Sequence, residues 1–592
     1  MRSSIANVAV AALALAGRVS AADADEWRTR SIYQVMIDRF ALTDGSTDKK
    51  CEVSRFCGGT WKGLQNKLDY IQGMGFTAIQ ISPIVKNTED HTAVGDAYHG
   101  YWVTDNYALN DRFGTEQDFT ELVAEIHKRD MLLMVDVVVN NMAQGFDNTI
   151  PPEIDYSKFN PFNDKKYFHP YCNVTRWEDP EDYQNCWLYP YGVALVDLAT
   201  EEKAVADELN KWVKQLVANY SIDGLRIDAA KHVNDEFLAP FVAASGVFAW
   251  GEVLSGVQND MCRYQTLGLL PGMPNYLEYF GLVKAFNGES LEELADMRNQ
   301  AASGCNDSTL LGSFSENHDM PRFAARNDDM ALAKNAMAYI LLNDGIPTVY
   351  QGQEQHFNGG DTPFNREPLW TSNYNTSAPL YVLTSKLNKV RSNAIKLSST
   401  SFATERAETL WVDVNRLCLK KGENNATVVF CITNESSEAG SYETSVGGFA
   451  AGEKLVEVVR CRHTTADAVG NVTVYMGQGE PRVYVAQAAL EGTGVCEETV
   501  KDGPTDSGVG RVALPGGFGS VVLAAVMGAG KVLPKPTKSH HHVLTSRGNL
   551  EICAPQDRYG CVHRPRLLLG ADGSCDDHGA MTCVDFLVSQ DS

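Results

Sequence analysis

Positive charge is scarce in this chain. Its 592 residues carry 51 Lys and Arg against 75 Asp and Glu, a formal net charge of −24. Nucleic acid and anionic membrane surfaces are gripped through basic patches, so this balance argues against both as partners. It suits a soluble protein acting on a neutral substrate. Long apolar runs are also lacking. The stretch at residues 5–16 is too short to span a bilayer, and the run at 512–530 is broken by several Gly and a Pro. What is present is ordinary for a globular protein with a large core, with 44% hydrophobic and 21% charged residues. The length exceeds one domain, so two or three are expected.

The first residues read as a secretory signal. Arg2 supplies the charge, residues 5–16 the apolar centre, and Val19, Ser20 and Ala21 a small-x-small cleavage site, which sets 1–21 apart from the mature chain. Secretion makes the 14 Cys candidates for disulfides, and their even number agrees. Glycosylation sequons at Asn173, Asn219, Asn306, Asn375, Asn425, Asn434 and Asn471 point the same way.

Strand-like apolar runs alternate with helical stretches over 22–140 and 201–401. The runs are SIYQVMIDRF (31–40), FTAIQISP (76–83), MLLMVDVVVN (131–140), GLRID (224–228), 247–253, 275–279, 310–315 and 345–350. The rhythm breaks over 141–200, a Pro-, Asn-, Asp-, Tyr- and Trp-rich stretch too long for a structureless loop. It reads as a small inserted domain held by Cys172 and Cys186. From 402 to 497, short alternating segments separated by turn residues predict an antiparallel β domain.

Residues 498–592 form a linker, an apolar segment and a tail. Small residues at Asp506, Ser507 and Gly508 before the apolar run resemble a glycolipid-anchor signal, provided the natural chain ends near Leu533. A loose core segment is the competing reading. Residues 531–592 read either as a small disulfide-bonded module or as translated non-coding sequence.

Four carboxylates end successive strand-like runs: Asp136 in DVVVNN, Asp228 in GLRIDAAKH, Glu252 in FAWGEVL and Asp319 in FSENHD. Taken singly, such an Asp is a cap or turn residue. Four in order, with Arg226 and His318 beside them, match the C-terminal mouth of a (β/α)8 (TIM) barrel, where that fold keeps its active site. The predicted class is therefore α/β, with an inserted domain after strand three and a C-terminal antiparallel domain. Asp228 and Glu252 end adjacent strands and can flank a glycosidic bond, one attacking and one protonating the leaving oxygen. Arg226 points to the same side as Asp228 and favours its ionised form. The apolar run before Glu252 predicts a raised pKa suited to a general acid. Asp319 can orient sugar hydroxyls.

These motifs resemble the α-amylase family of retaining glycoside hydrolases, and within it the secreted fungal enzymes, over about 27–496. AYHGYW (97–102), CGGTW (57–61) and NRE (365–367) carry the same resemblance. It implies Asp228 as nucleophile, Glu252 as acid/base and Asp319 as transition-state stabiliser. His99, Tyr101, Arg226 and His318 would line the cleavage subsite, with Trp102, Lys231, Asp361 and Arg366 on neighbouring sugars. It also implies a structural calcium held by Asn140, Gln184, Asp197 and the His232 carbonyl. The implied disulfides are Cys51–Cys57, Cys172–Cys186 and Cys262–Cys305. The substrate would be an α-1,4-glucan and the protein a secreted monomer, wall- or membrane-attached if the anchor signal is used.

Two positions depart from the family. Asn141 stands where a His donates to the sugar's hydroxymethyl group, and Gln184 where the calcium site has Glu. Asn is shorter and carries no charge. The first change resembles a wall-anchored fungal subgroup that transfers α-glucan chains, so 4-α-glucanotransfer stands beside hydrolysis. From a different class stands a silent α-glucan-binding protein, which would have no use for three intact carboxylates.

Overall fold

A computed structural model describes residues 22–188 and 192–497. The signal segment 1–21, the anchor signal and the tail from 498 onward lie outside the described residues. Among those described, no helix is long and apolar enough to cross a membrane.

The core is a parallel sheet in the spatial order Gly312–Ser313, Ile346–Tyr350, Ile32–Val35, Ala78–Ile81, Leu132–Val138, Gly224–Asp228, Phe248–Gly251. Most of its strands are buried along their whole length, which is why they read as continuous apolar runs rather than alternating ones. The expected strand at 275–279 is not there. Helix Tyr276–Phe286 begins at that point, because the Asn275 side chain accepts the Glu278 N–H and its amide donates back to the Glu278 carboxylate at 2.9 Å. The barrel closes one step earlier. Gly272 bridges Trp250, and Pro274 bridges Gly312, both in parallel.

Closure depends on two glycines around one indole. A Cβ at Gly272 would lie 2.4 Å from the Leu310 oxygen, and one at Gly312 would lie 2.8 Å from the Trp250 ring. Trp250 Nε1 donates to the Leu310 carbonyl at 3.0 Å across the seam.

Helix Lys203–Tyr220, one of the helical stretches between strands, buries Val205, Leu209, Trp212, Val213 and Leu216, a helical-period stripe, in the main core. The insert is anchored by an antiparallel pair, Asn141–Gly145 with Val193–Asp197, in which Asn141 faces Asp197. The C-terminal part forms a six-stranded antiparallel sheet and a separate two-stranded one. The three expected disulfides are formed, joined by Cys418–Cys431 and Cys461–Cys496, which sequence reasoning did not pair. Cys418 and Cys431 lie directly opposite on neighbouring strands.

A buried ionic cluster ties the C-terminal sheet to the barrel. Asp344 receives Lys421 Nζ at 2.6 Å, Arg298 Nη2 at 2.8 Å and the Ala407 N–H at 2.8 Å. Burial pushes the Asp344 carboxyl up, but Lys421 and Arg298 outweigh it and hold it below the ordinary carboxylate range. Asp344→Ala should therefore cost about 3–5 kcal/mol by leaving two buried cations unpaired. A depressed carboxylate stabilises above its unfolded pKa of about 3.9 and loses that contribution as pH falls through the folded value. Denaturation curves across pH should show the gap between wild type and variant closing only in that acid range.

Candidate active site

The barrel's register builds the centre of the site. Asp136 pairs with Arg226, and Val138 with Asp228, on adjacent parallel strands. Arg226 and Asp228, two residues apart, thus point the same way toward the barrel mouth. The Arg226 guanidinium then meets three carboxylates. Nη1 donates to Asp228 Oδ1 at 2.7 Å and Asp136 Oδ2 at 3.1 Å, while Nη2 lies 3.0 Å from Glu252 Oε2. Glu252 also receives the Ala229 N–H at 2.9 Å. Asp136 is completed by the Tyr101 hydroxyl at 2.5 Å and Gln80 Nε2 at 2.9 Å.

A second group closes the opposite wall. His318 Nε2 lies 3.0 Å from Asp319 Oδ2, and Arg366 Nη2 donates to Asp319 Oδ1 at 3.1 Å. Arg366 Nε and Asn365 Nδ2 both donate to the His318 carbonyl at 2.9 Å, which fixes this turn. Gln34 Nε2 lies 3.1 Å from His318 Nδ1. The His318 ring stacks on Tyr101 with centroids 5.2 Å apart and planes 7° apart. His99 packs between Tyr101 and Trp102.

These walls enclose an open cleft of about 380 Å³. Asp228, Glu252 and Asp319 all face it, with His99, Tyr101, Trp102, Lys231, His318 and Arg366 around them. Nine of the twelve residues expected for catalysis and sugar contact thus share one cavity. Arg226 lies beneath it, 4% exposed. Asn141 and Asp361 are not among its lining. Asn141 is buried with its amide nitrogen unpartnered, and Asp361 is exposed on the turn before Arg366. Sequence reasoning missed Leu188 and Leu254, which line the cleft, and the supporting Gln34, Gln80 and Asn365. These three polar residues lie within SIYQVMIDRF, FTAIQISP and NRE, where a polar residue in a buried segment is the available signal.

Electrostatics here are a contest. Burial raises the Asp136 carboxyl to about 6 against the pull of Arg226. Asp228 is raised too, by burial first, with Arg226 opposing and the charges of Glu252, Asp136 and Asp319 adding. Arg226 does favour the ionised form of Asp228, as expected, but burial outweighs it, because one cation serves three carboxylates. Near neutral pH the cluster has reason to keep a proton. Burial and the neighbouring arginines push both His99 and His318 well down, so they are neutral hydrogen-bonding groups.

Of the expected calcium ligands, Asn140 and Asp197 are in contact, Asn140 Nδ2 donating to Asp197 Oδ1 at 3.1 Å, both 2% exposed. His169 Nδ1 lies 2.6 Å from the other Asp197 oxygen. Gln184 Nε2 donates to Asp235, and the neighbouring Tyr183 carbonyl meets His232 Nδ1. Among the described residues no group of three His, Cys, Asp or Glu could hold a metal. The expected set has only one such acid and relies on amide and carbonyl oxygens, donors that suit a hard cation.

The family model described as the α-amylase catalytic domain matches residues 34–416, and that for α-amylase domain C matches 409–504. Alpha-amylase 1 of Schwanniomyces occidentalis is 44% identical over 481 residues, covering 80% of this chain and 93% of that protein. The α-amylase of Saccharomycopsis fibuligera is 45% identical over 469 residues, covering 78% and 92%. A solved α-amylase from Malbranchea cinnamomea superposes with a TM-score of 0.77 at 45% identity, covering 80% of this chain and all of that one.

Arg226→Lys tests the electrostatic centre. An ammonium is a point charge and cannot hold carboxylates on two neighbouring nitrogens. Activity should fall about 100-fold or more, and denaturation should show about 1–3 kcal/mol of lost stability from the buried carboxylate left without its hydrogen bond.

Proposed function

The chain belongs to the α-amylase family, and on that premise we propose that it cleaves α-1,4-glucans by a retaining double displacement. One observation carries the reading: Asp228 and Glu252 are bound to neighbouring nitrogens of a single guanidinium at the floor of an open cleft. That arrangement supports the narrow spacing of retaining pairs, about 5–5.5 Å, rather than the wider gap that admits water in inverting ones.

Asp228 attacks the anomeric carbon as the glycosidic oxygen leaves and takes the Glu252 proton. The sugar is then esterified to Asp228, and Glu252 is ionised. Glu252 next removes a proton from water, whose oxygen attacks the same carbon and expels Asp228 with net retention. The first step needs Asp228 ionised, which the Arg226 hydrogen bond favours. Asp319, held by Arg366 and His318, is placed to bind sugar hydroxyls and to complement charge on the ring. Neutral His99, whose Nδ1 accepts the Tyr101 N–H, can donate from Nε2 to a hydroxyl without adding positive charge against the oxocarbenium-like transition state, while neutral His318 directs its N–H to Asp319. Tyr101 and Trp102 supply aromatic faces.

The α-amylase family typically binds calcium. Here Asn140, Asp197, Gln184 and the His232 carbonyl would hold it, and the bound ion would cross-link insert and barrel. With Gln184 neutral, affinity should be below that of a site with Glu there. Gln184→Glu should tighten calcium binding in calorimetry, and unchanged affinity would remove this reading.

The protein is proposed to be secreted, through the 1–21 signal, with attachment through a glycolipid anchor if the chain is processed near 506–508. Five disulfides among the described residues support an oxidising compartment.

Glucan transfer is the second reading, favoured by Asn141. The barrel strand leaves the level of Asp228 at Val138, and Asn141 follows three residues later with its amide nitrogen unpartnered. A lost transition-state hydrogen bond costs about 1–3 kcal/mol, roughly ten- to a hundredfold in rate. Maltoheptaose, incubated with protein trimmed before Asp506, separates the readings. Products only shorter than the substrate mean hydrolysis, and longer ones mean transfer. Asn141→His should raise the hydrolytic share. Glu252→Gln should abolish both activities and keep glucan binding, whereas equal behaviour of variant and native protein would leave only a binder.

A further inference from the structure

Asp319 and Arg366 meet across two irregular segments. The turn 316–322 carries Asp319, the loop 359–367 carries Arg366, and no helix or strand runs through either. No sheet ladder therefore sets the distance between them, and the Asp319 carboxylate is placed only as well as these two segments are held together.

Arg322 fastens them from behind the cleft. It is fully buried and donates in four directions. Its backbone N–H meets the Gly359 carbonyl at 3.1 Å, and Nε meets Glu367 Oε2 at 3.0 Å. Nη1 serves Glu316 Oε2 at 3.2 Å and the Gln351 carbonyl at 2.8 Å. Each carboxylate then grips backbone with its other oxygen: Glu316 Oε1 receives the Phe323 N–H at 3.0 Å, and Glu367 Oε1 the Gly359 N–H at 2.6 Å. The guanidinium also lies 4.2 Å from the ring centroid of Tyr350, the last residue of its barrel strand. One cation thus joins that strand's end, the Asp319 turn and the Arg366 loop. Glu316, Arg322 and Glu367 do not line the cleft. A buried ion pair adds little stability over apolar packing, but its directional bonds hold a geometry that apolar packing would not.

We propose that Arg322 and Glu367 are positioning residues, which act through Arg366 to hold the Asp319 carboxylate where charge develops in the transition state. This rests on the reading of the chain as a glucan-cleaving enzyme. Glu367→Gln keeps size but leaves one acceptor oxygen for two donors, and its side chain is 22% exposed. On maltoheptaose, well below the melting temperature, kcat should fall about tenfold with KM changed less than about twofold, because a group misplaced for the transition state costs rate rather than binding. In an Arg366→Gln background the same change should cost less than about twofold, since the route to Asp319 is already broken. Glu316→Gln, read the same way, is the second variant should the first not fold. Equal losses in both backgrounds, or a lowered melting temperature with kcat intact, would overturn the positioning role alone. A native protein that leaves maltoheptaose untouched would overturn the enzyme reading and this role with it.

Discussion

The Arg226 guanidinium is the interaction on which the site depends. It is almost fully buried, and three carboxylates converge on it. A buried cation is tolerated only when paired, and buried carboxylates only when hydrogen-bonded. Each therefore requires the others. The requirement reaches the backbone: a one-residue slip between strands Leu132–Val138 and Gly224–Asp228 would turn Arg226 away from Asp136 and out of the mouth. Register, charge balance and the placement of Asp228 are one constraint.

From that centre the structure is tied outward in layers. Tyr101 completes Asp136 and stacks on His318, His318 contacts Asp319, and Asp319 is held by Arg366. The loop after the last barrel strand, bearing Asn365 and Arg366, thereby becomes part of the site. Farther out, the Asp344 cluster repeats the same logic with the opposite balance, one carboxylate between two cations. There the charge is spent on joining two sheets. At the active site the surplus of carboxylates leaves groups free to exchange a proton.

Much of this was legible because buried parallel strands are apolar throughout and interrupted only where function requires it. Asp228, Glu252 and Asp319 stand out at the ends of such runs. The misread segment at 275–279 shows the limit. Asn-Tyr-Leu-Glu-Tyr has the aromatic and apolar content of a strand, yet Asn275 and Glu278 form a reciprocal helix start. Local capping overrode composition. Cys418–Cys431 and Cys461–Cys496 escaped for another reason: their pairing follows from strand register and from how the chain returns on itself, neither of which spacing encodes.

The sequence by itself determined the fold class, the order of the catalytic carboxylates and the two departures at Asn141 and Gln184. These are properties of residue type and position along the chain. Only the tertiary structure decided that Arg226 serves three carboxylates at once, that burial contests its pull on Asp228, and that Asn141 and Asp361 stand outside the cleft lining. Those outcomes depend on distances between strands and on how much water is excluded, and both arise only when distant segments pack together.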